Sequence, residues 1–382
     1  MNALSFPYGT RGEQRAGDPV SSTPTVYDVA ERSGVSIATV SRVYRNPDSV
    51  REATREKVLA AARDLGYVPS GNARGLASRS TGVLGLCFPD YSDPDTESEA
   101  AAADADDDHA FMLYSDQIIR GMERAARRHG YALLIAASLS GGPESLVAKV
   151  AGRVDGFAVL ARTVPTEDLE VISRRLPVVM LAGPRDPDGP DHLDHIEVAN
   201  ADGQRALTRH LIEDHGLRRL AFVGGVEDSP DAQARFDGYA AARQEAGLSV
   251  PRAPDVRPEL MTQAEGARAV EALLDRAGAE LPEGILFAND QMAIGALHAL
   301  ERRGLRVPED VAVTGFDGIP LGRLVRPALT TVRQPMRRLG EEAVDLLVHR
   351  LGSSGTAAEP ESRVLPVDVV RRESCGCGDV AG

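Results

Sequence analysis

The chain has 382 residues, 42% of them apolar, and a formal charge of −14. The length exceeds one compact core and calls for two or three domains. No apolar run approaches the roughly 18 residues that span a bilayer, and three cysteines cannot build a disulfide framework. Met1–Thr10 lacks the basic and apolar regions of a secretory signal, so a reducing, cytoplasmic location is expected, with no membrane partner.

Taken whole, the acidic balance speaks against a nucleic-acid partner. Its distribution reverses that reading. Residues 1–22 balance to zero, residues 23–80 carry nine basic against six acidic side chains (+3), and residues 81–382 carry −17. Residues 1–22 mix Gly, Pro and Ser without periodicity and read as a disordered arm. Thr25 suits a helix N-cap, with Asp28 at the third helical position. Ser33-Gly34-Val35 forms a turn, Ser36 can cap a second helix from Ile37 to Tyr44, and a third runs from about Ser49–Arg51 to Leu65. Val26 and Val29 match Val40 and Val43, and Val58, Ala61, Ala62 and Leu65 close a small core. Two short helices joined by a glycine turn make a helix-turn-helix, whose second helix can enter the major groove. Such hairpins also occur in proteins that never touch DNA. The arginines and hydroxyls on these exposed faces, in an otherwise acidic chain, favour DNA.

Residues 69–80 form a Gly- and Ser-containing linker. From residue 81, apolar runs alternate with amphipathic stretches. The runs are Val83–Phe88, Ala132–Ala136, Gly156–Leu160, Val178–Leu181, Leu220–Val223, Gly284–Phe287 and Val311–Thr314. The intervening stretches Ile118–His129, Gly203–Asp214, Phe236–Ala246, Ala264–Arg276 and Met292–Arg303 have helical spacing. That order implies parallel sheets of βαβ units in two lobes, with ligands at the carboxyl ends of the strands.

The run Thr25-Val-Tyr-Asp-Val-Ala-Glu-Arg-Ser-Gly-Val-Ser-Ile-Ala-Thr-Val-Ser-Arg-Val43 resembles the headpiece of the lactose-repressor (LacI/GalR) family of transcription regulators. So do Leu65-Gly-Tyr-Val-Pro69, Phe287-Ala-Asn-Asp-Gln-Met-Ala-Ile-Gly295, Gly315-Phe-Asp317 and Leu329-Thr-Thr-Val-Arg-Gln-Pro335. The resemblance implies an N-terminal all-α helix-turn-helix headpiece at 23–68 and a hinge helix at 69–80. It also implies an α/β two-lobed, periplasmic-binding-protein-like effector domain at 81–382, with two parallel doubly wound sheets. The implied function is a transcriptional repressor that binds a pseudo-palindromic operator in double-stranded DNA as a homodimer and is controlled allosterically by a small-molecule effector, a sugar or related metabolite, in the inter-lobe cleft.

Residue by residue, the resemblance assigns Ile37, Ala38 and Arg42 to base reading. Arg42 suits the two acceptors of guanine, whereas Ile37 and Ala38 offer only apolar contact. Tyr27, Ser36, Thr39, Ser41, Arg45 and Thr54 match phosphate contacts, which set register. Leu76 matches a leucine that wedges into the minor groove, flanked by Ala73 and Arg74. Phe111, Arg235, Asn289, Asp317 and Gln334 match effector positions. A purely structural reading stands beside these: Asn289 can cap a helix and Asp317 can shape a turn.

Residues 90–108 hold nine acids and no base, and read as a solvated insertion. Cys375-Gly-Cys377 reads as a tail, since one thiol pair cannot complete a tetrahedral zinc site. No Walker loop, nucleophile elbow or zinc-protease motif appears, so neither an enzyme nor a cofactor or metal is expected. A solute-binding protein would share the lobes but would not need residues 25–79.

Overall fold

The computed structural model describes residues 23–68, 80–89, 113–138, 150–160, 163–183, 193–227, 229–277, 281–353 and 359–378. The arm 1–22, the hinge residues Ala73, Arg74 and Leu76, the acidic insertion 90–108 and Phe111 lie outside them. The chain divides into two compact units, Met1–Arg79 and Ser80–Gly382, each described by itself.

The first unit contains α1 (Val26–Ser33), α2 (Ile37–Arg45) and α3 (Glu52–Leu65). Asp28 accepts from both the N–H and the hydroxyl of Thr25 at 2.7 Å, tying down the start of α1. Those hydrogen bonds hold the Asp28 carboxyl below its usual range. Gly34 takes φ +68° between α1 and α2, a conformation that a β-carbon disfavours. Val29, Val40, Val43, Val58, Ala61 and Ala62 are buried together, with Val26 and Leu65 packed against them. The apolar positions expected from helical spacing thus meet in one mini-core.

The second unit has two sheets. Its strands are β1 (Val83–Pro89), β2 (Ala132–Ser138), β3 (Gly156–Leu160), β4 (Val178–Leu181), β5 (Asp194–Val198), β6 (Leu220–Val223), β7 (Gly284–Phe287), β8 (Ala312–Asp317), β9 (Thr330–Arg333), β10 (Ser362–Leu365) and β11 (Asp368–Val370). The first sheet runs β10-β5-β4-β3-β1-β2 and is wholly parallel. The second runs β11-β9-β8-β7-β6, parallel except for its edge strand β11, which pairs antiparallel with β9. Strict parallelism therefore fails at one edge, where β11 enters the second sheet directly from β10 of the first and pairs antiparallel with β9.

Helices α4 (Leu113–Arg128), α5 (Thr166–Ser173) and α10 (Met336–Gly352) accompany the first sheet. Helices α6 (Asn200–Glu213), α7 (Pro230–Glu245), α8 (Gln263–Ala277) and α9 (Asp290–Arg302) accompany the second. The chain passes between lobes three times: from β5 to α6, from β9 to α10, and from β10 to β11. Every residue of β3, β6 and β7 is buried, which is why these strands read as unbroken apolar runs; β8 is equally buried but carries Thr314 and Asp317.

Helix pairs in the second lobe approach through glycine. A β-carbon on Gly266 would overlap the backbone oxygen of Met292, and one on Gly295 that of Gln263, so α8 and α9 pack backbone to backbone. Where the linker enters the first lobe, Asp155 accepts from Ser80 Oγ and Thr81 N at 2.6 Å and from Gly82 N at 2.9 Å.

The C-terminal segment corrects one expectation. Cys375 and Cys377 are not a free tail. Cys375 is 3% exposed, and both thiols pack against His210 of α6 and His215 just beyond it. The histidines lie about 165 residues earlier in sequence, so no local spacing rule could have joined them to the cysteines.

Candidate functional site: a recognition helix and an inter-lobe cleft

Two arrangements carry chemistry. In the first unit, α2 begins at Ser36, whose hydroxyl accepts from Thr39 N at 3.2 Å and lies 2.9 Å from Thr39 Oγ1. Val40 and Val43 turn inward, leaving Ile37, Ala38 and Arg42 on the opposite, exposed face. Ile37 is 41% exposed and Tyr27 67%. Among the described residues, Arg42 and Arg45 form no ion pair, whereas Arg32 pairs with Asp64 and Arg55 with Glu52 and Asp48. Arg51 and Arg63 likewise form no ion pair among the described residues. Ser41 and Thr54 are half-buried.

In the second unit, the residues expected at strand ends converge. Arg235, on α7, is 4% exposed. Its Nε donates to Asn200 Oδ1 at 2.9 Å and its Nη1 to Ala288 O at 2.5 Å. The same Nη1 lies 3.4 Å from Asp317 Oδ1, and the guanidinium sits 3.9 Å above the Phe316 ring. Asp317 closes β8 with φ +121°, a strained value for a residue carrying a β-carbon. Gln334, on the crossover from β9 to α10, donates Nε2–H to Asp317 Oδ1 at 2.6 Å and N–H to Asp317 O at 3.0 Å. Asn200, which starts α6 after the first crossover, donates to Asp231 Oδ1 at 2.8 Å, and Asp231 also accepts from Gly183 N at 2.9 Å. Gly183 follows β4 in the first lobe. A continuous polar chain therefore runs from Gly183 through Asp231, Asn200, Arg235 and Asp317 to Gln334, touching both lobes and two of the three crossovers.

Burial pushes Asp317 up to about 6, against the opposing pull of Arg235 and Gln334. Its neighbour Asp290 is wholly buried at the start of α9. Its Oδ2 accepts from Gly318 N and Ile319 N at 2.8 Å, and its Oδ1 from Thr331 Oγ1 at 2.5 Å. Burial first and the charge of Asp317 second push Asp290 up to about 8. Asp290 thus fixes the turn that presents Asp317.

Arg235, Asp317 and Gln334, three of the residues that the resemblance assigns to the effector, lie in contact with one another. Asn289 lies at the same strand end but is committed to the helix: its Oδ1 accepts from Met292 N and its Nδ2 donates to Met261 O, both at 2.9 Å. Asn200, Asp231 and Phe316 belong to the chain and were missed. Asn200 follows β5, a strand of alternating Asp, His, Ile, Glu and Val with no apolar run to mark it. Asp231 reads as an ordinary first-turn acid after Ser229-Pro230.

Comparisons with known proteins agree with this geometry. Residues 25–70 match the model of bacterial regulatory proteins, lacI family, and residues 208–375 that of a periplasmic binding protein-like domain. The ribose operon repressor of Escherichia coli (strain K12) is 33% identical over 352 residues, covering 90% of this chain and 97% of that one. The crystal structure of the lac repressor dimer bound to operator and the anti-inducer ONPF superposes with a TM-score of 0.74 at 28% identity, covering 93% and 99% of the two chains. A complex of the transcriptional regulator CelR with cellobiose superposes with a TM-score of 0.64 at 31% identity, covering 92% and 99%. No helix among the described residues is long and apolar enough to cross a membrane.

Proposed function

The chain belongs to the lacI family of bacterial regulatory proteins, and from that membership we propose which of its residues read the operator and which hold the effector. It is a DNA-binding transcriptional repressor rather than an enzyme, works as a homodimer, and responds to a sugar or sugar derivative. Its action on DNA assigns it to the cytoplasm. We assign residues 23–68 to the headpiece, 69–80 to the hinge and 81–382 to the effector and dimerisation domain.

Ile37, Ala38 and Arg42 read base edges, and Tyr27, Ser36, Thr39, Ser41, Arg45 and Thr54 engage phosphates. Ala73, Arg74 and Leu76 of the hinge enter the minor groove. Arg235, Asn289, Asp317 and Gln334 meet the effector, and we assign Phe111 to the same role from the family resemblance. The observation that carries the effector assignment is the buried Arg235–Asp317–Gln334 group at the carboxyl end of β8. A guanidinium beside a carboxylate offers fixed donors and acceptors, as vicinal hydroxyls require. A ligand that engages this group changes what joins Gly183 of one lobe to Gln334 at the crossover. Differential binding to open and closed lobes then shifts the affinity for operator.

The test is selection from a random double-stranded DNA library with the full chain, followed by release assays with a panel of mono- and disaccharides. A pseudo-palindrome should be enriched and one sugar class should release it. Enrichment of no palindrome sinks the operator reading; release by none of the sugars sinks the effector class.

A further inference from the structure

Among the described residues, one group of side chains with metal-ligating chemistry converges away from the cleft: His210, His215, Cys375 and Cys377. Their ligand atoms all lie within 4.8 Å of one another. His210 Nε2 is 3.2 Å from His215 Nε2, 3.6 Å from Cys375 Sγ and 3.5 Å from Cys377 Sγ. Cys377 Sγ is 3.4 Å from His215 Nε2. A tetrahedral zinc ion with Zn–N of about 2.0–2.1 Å and Zn–S of about 2.3 Å requires ligand separations of about 3.3 Å between nitrogens and about 3.5 Å between nitrogen and sulfur. The four separations match those edges.

The surroundings orient the ligands. Asp214 Oδ2 lies 2.7 Å from His210 Nδ1. A carboxylate only accepts, so Nδ1 carries the proton and Nε2 turns a bare lone pair toward the two sulfurs. Thr330 Oγ1, 3.1 Å from Cys375 Sγ, is placed to donate to a thiolate. Gly376, at φ +95°, turns the chain between the cysteines, and a β-carbon there would contact the His215 ring. His210 and Cys375 are buried and His215 and Cys377 half-buried, which leaves an entry path for an ion and little access for bulk water.

We propose that His210, His215, Cys375 and Cys377 form a structural Cys2His2 site for zinc. The ion would join the carboxyl end of α6 to the segment after β11, stapling the chain terminus to the second lobe. Four protein ligands leave no open coordination position, which assigns the ion to stability rather than to chemistry. Thiolate and imidazole ligands in a tetrahedron select zinc over magnesium or calcium, which take oxygen.

The test uses the untagged full chain purified under reducing conditions. We expect one zinc per chain by mass spectrometric metal analysis, and a lower Tm once a chelator removes it. Titration of the stripped chain with cobalt should saturate at one equivalent, with the strong visible bands of a tetrahedral ion and a near-ultraviolet thiolate charge-transfer band. Cys377→Ser and His215→Gln should lose that stoichiometric binding, while their metal-free forms melt with the metal-free parent. Asp214→Asn, which leaves all four ligands in place, should weaken zinc about 10- to 100-fold. A stripped chain that takes up no cobalt, an octahedral cobalt spectrum, unchanged binding in the ligand variants, or a Cys375–Cys377 disulfide in the freshly reduced protein would each overturn the proposal.

Discussion

Arg235 Nη1 stands 3.4 Å from Asp317 Oδ1, with both side chains less than one-tenth exposed. The pair is held from outside itself: Asn200 and Ala288 fix the guanidinium, and Gln334 fixes the carboxylate. A buried pair supported on both sides is preorganised for a polar ligand. Truncating Arg235 leaves Asp317 without its cationic partner in a dry setting, which costs about 3–5 kcal/mol, whereas a neutral amide at position 317 leaves the guanidinium held by Asn200 and Ala288.

Asp317→Asn keeps the shape and most hydrogen bonds while removing the charge. It should fold, retain operator binding, and weaken effector-driven release at least about tenfold, equivalent to about 1.4 kcal/mol. Arg235→Ala should instead lower the stability of the effector domain by several kcal/mol. Paired measurements of melting and operator release separate the two; normal release by Asp317→Asn removes Asp317 from the effector site.

The pH profile has a defined sign. Asp317, raised to about 6, and Asp290, raised to about 8, bind protons more tightly folded than unfolded. They stabilise the fold fully below their unfolded value near 4, and that contribution is lost as pH rises through 6 and then 8. Asp155 behaves oppositely: burial pushes it up, but the hydrogen bonds from Ser80, Thr81 and Gly82 outweigh this and hold it low. Its contribution is present at neutral pH and lost in acid. Asp290→Asn should therefore flatten the fall in Tm between about pH 4 and 8, and Asp155→Asn the fall below pH 4.

Arg42→Ala should cost about 1–3 kcal/mol of discrimination at one base pair per half-site. Thr54→Val, at a proposed phosphate contact, should weaken all sequences alike. Competition binding against single-base operator variants distinguishes these outcomes, and a uniform loss for Arg42→Ala makes it a phosphate contact.

Gly295→Ala drives a β-carbon into the backbone oxygen of Gln263 and should destabilise by about 1–3 kcal/mol, because α8 and α9 must separate. Gly352→Ala, with no atom near the added carbon, is the matched control and should not destabilise. Urea midpoints at constant slope report both.

Much of this was legible along the chain. Val26, Val29, Val40 and Val43 announce the headpiece because helical periodicity places them on facing stripes. The runs at 156–160, 178–181, 220–223 and 284–287 coincide with β3, β4, β6 and β7 because strands buried on both faces need uninterrupted apolar residues. Strand β5 escaped because only alternate residues are buried, and α10 was not named although Leu339, Ala343, Val344 and Leu347 carry helical spacing.

Local periodicity and motif order determined the two kinds of domain and the strand end bearing Asp317, and the family resemblance proposed Ile37, Ala38 and Arg42 as the base-reading residues. Only the tertiary structure decided what that end touches. Asn200 and Asp231 became part of the polar chain because the crossover after β5 brings Asn200 against the first turn of α7, where Asp231 lies, a relation that spacing does not encode. The same holds for Cys375 and Cys377. Two thiols at short spacing are an incomplete ligand set, and folding brings His210 and His215 from the distant end of α6 to face them. Periodicity reports which side of an element is buried; closure of long loops decides which side chains meet there.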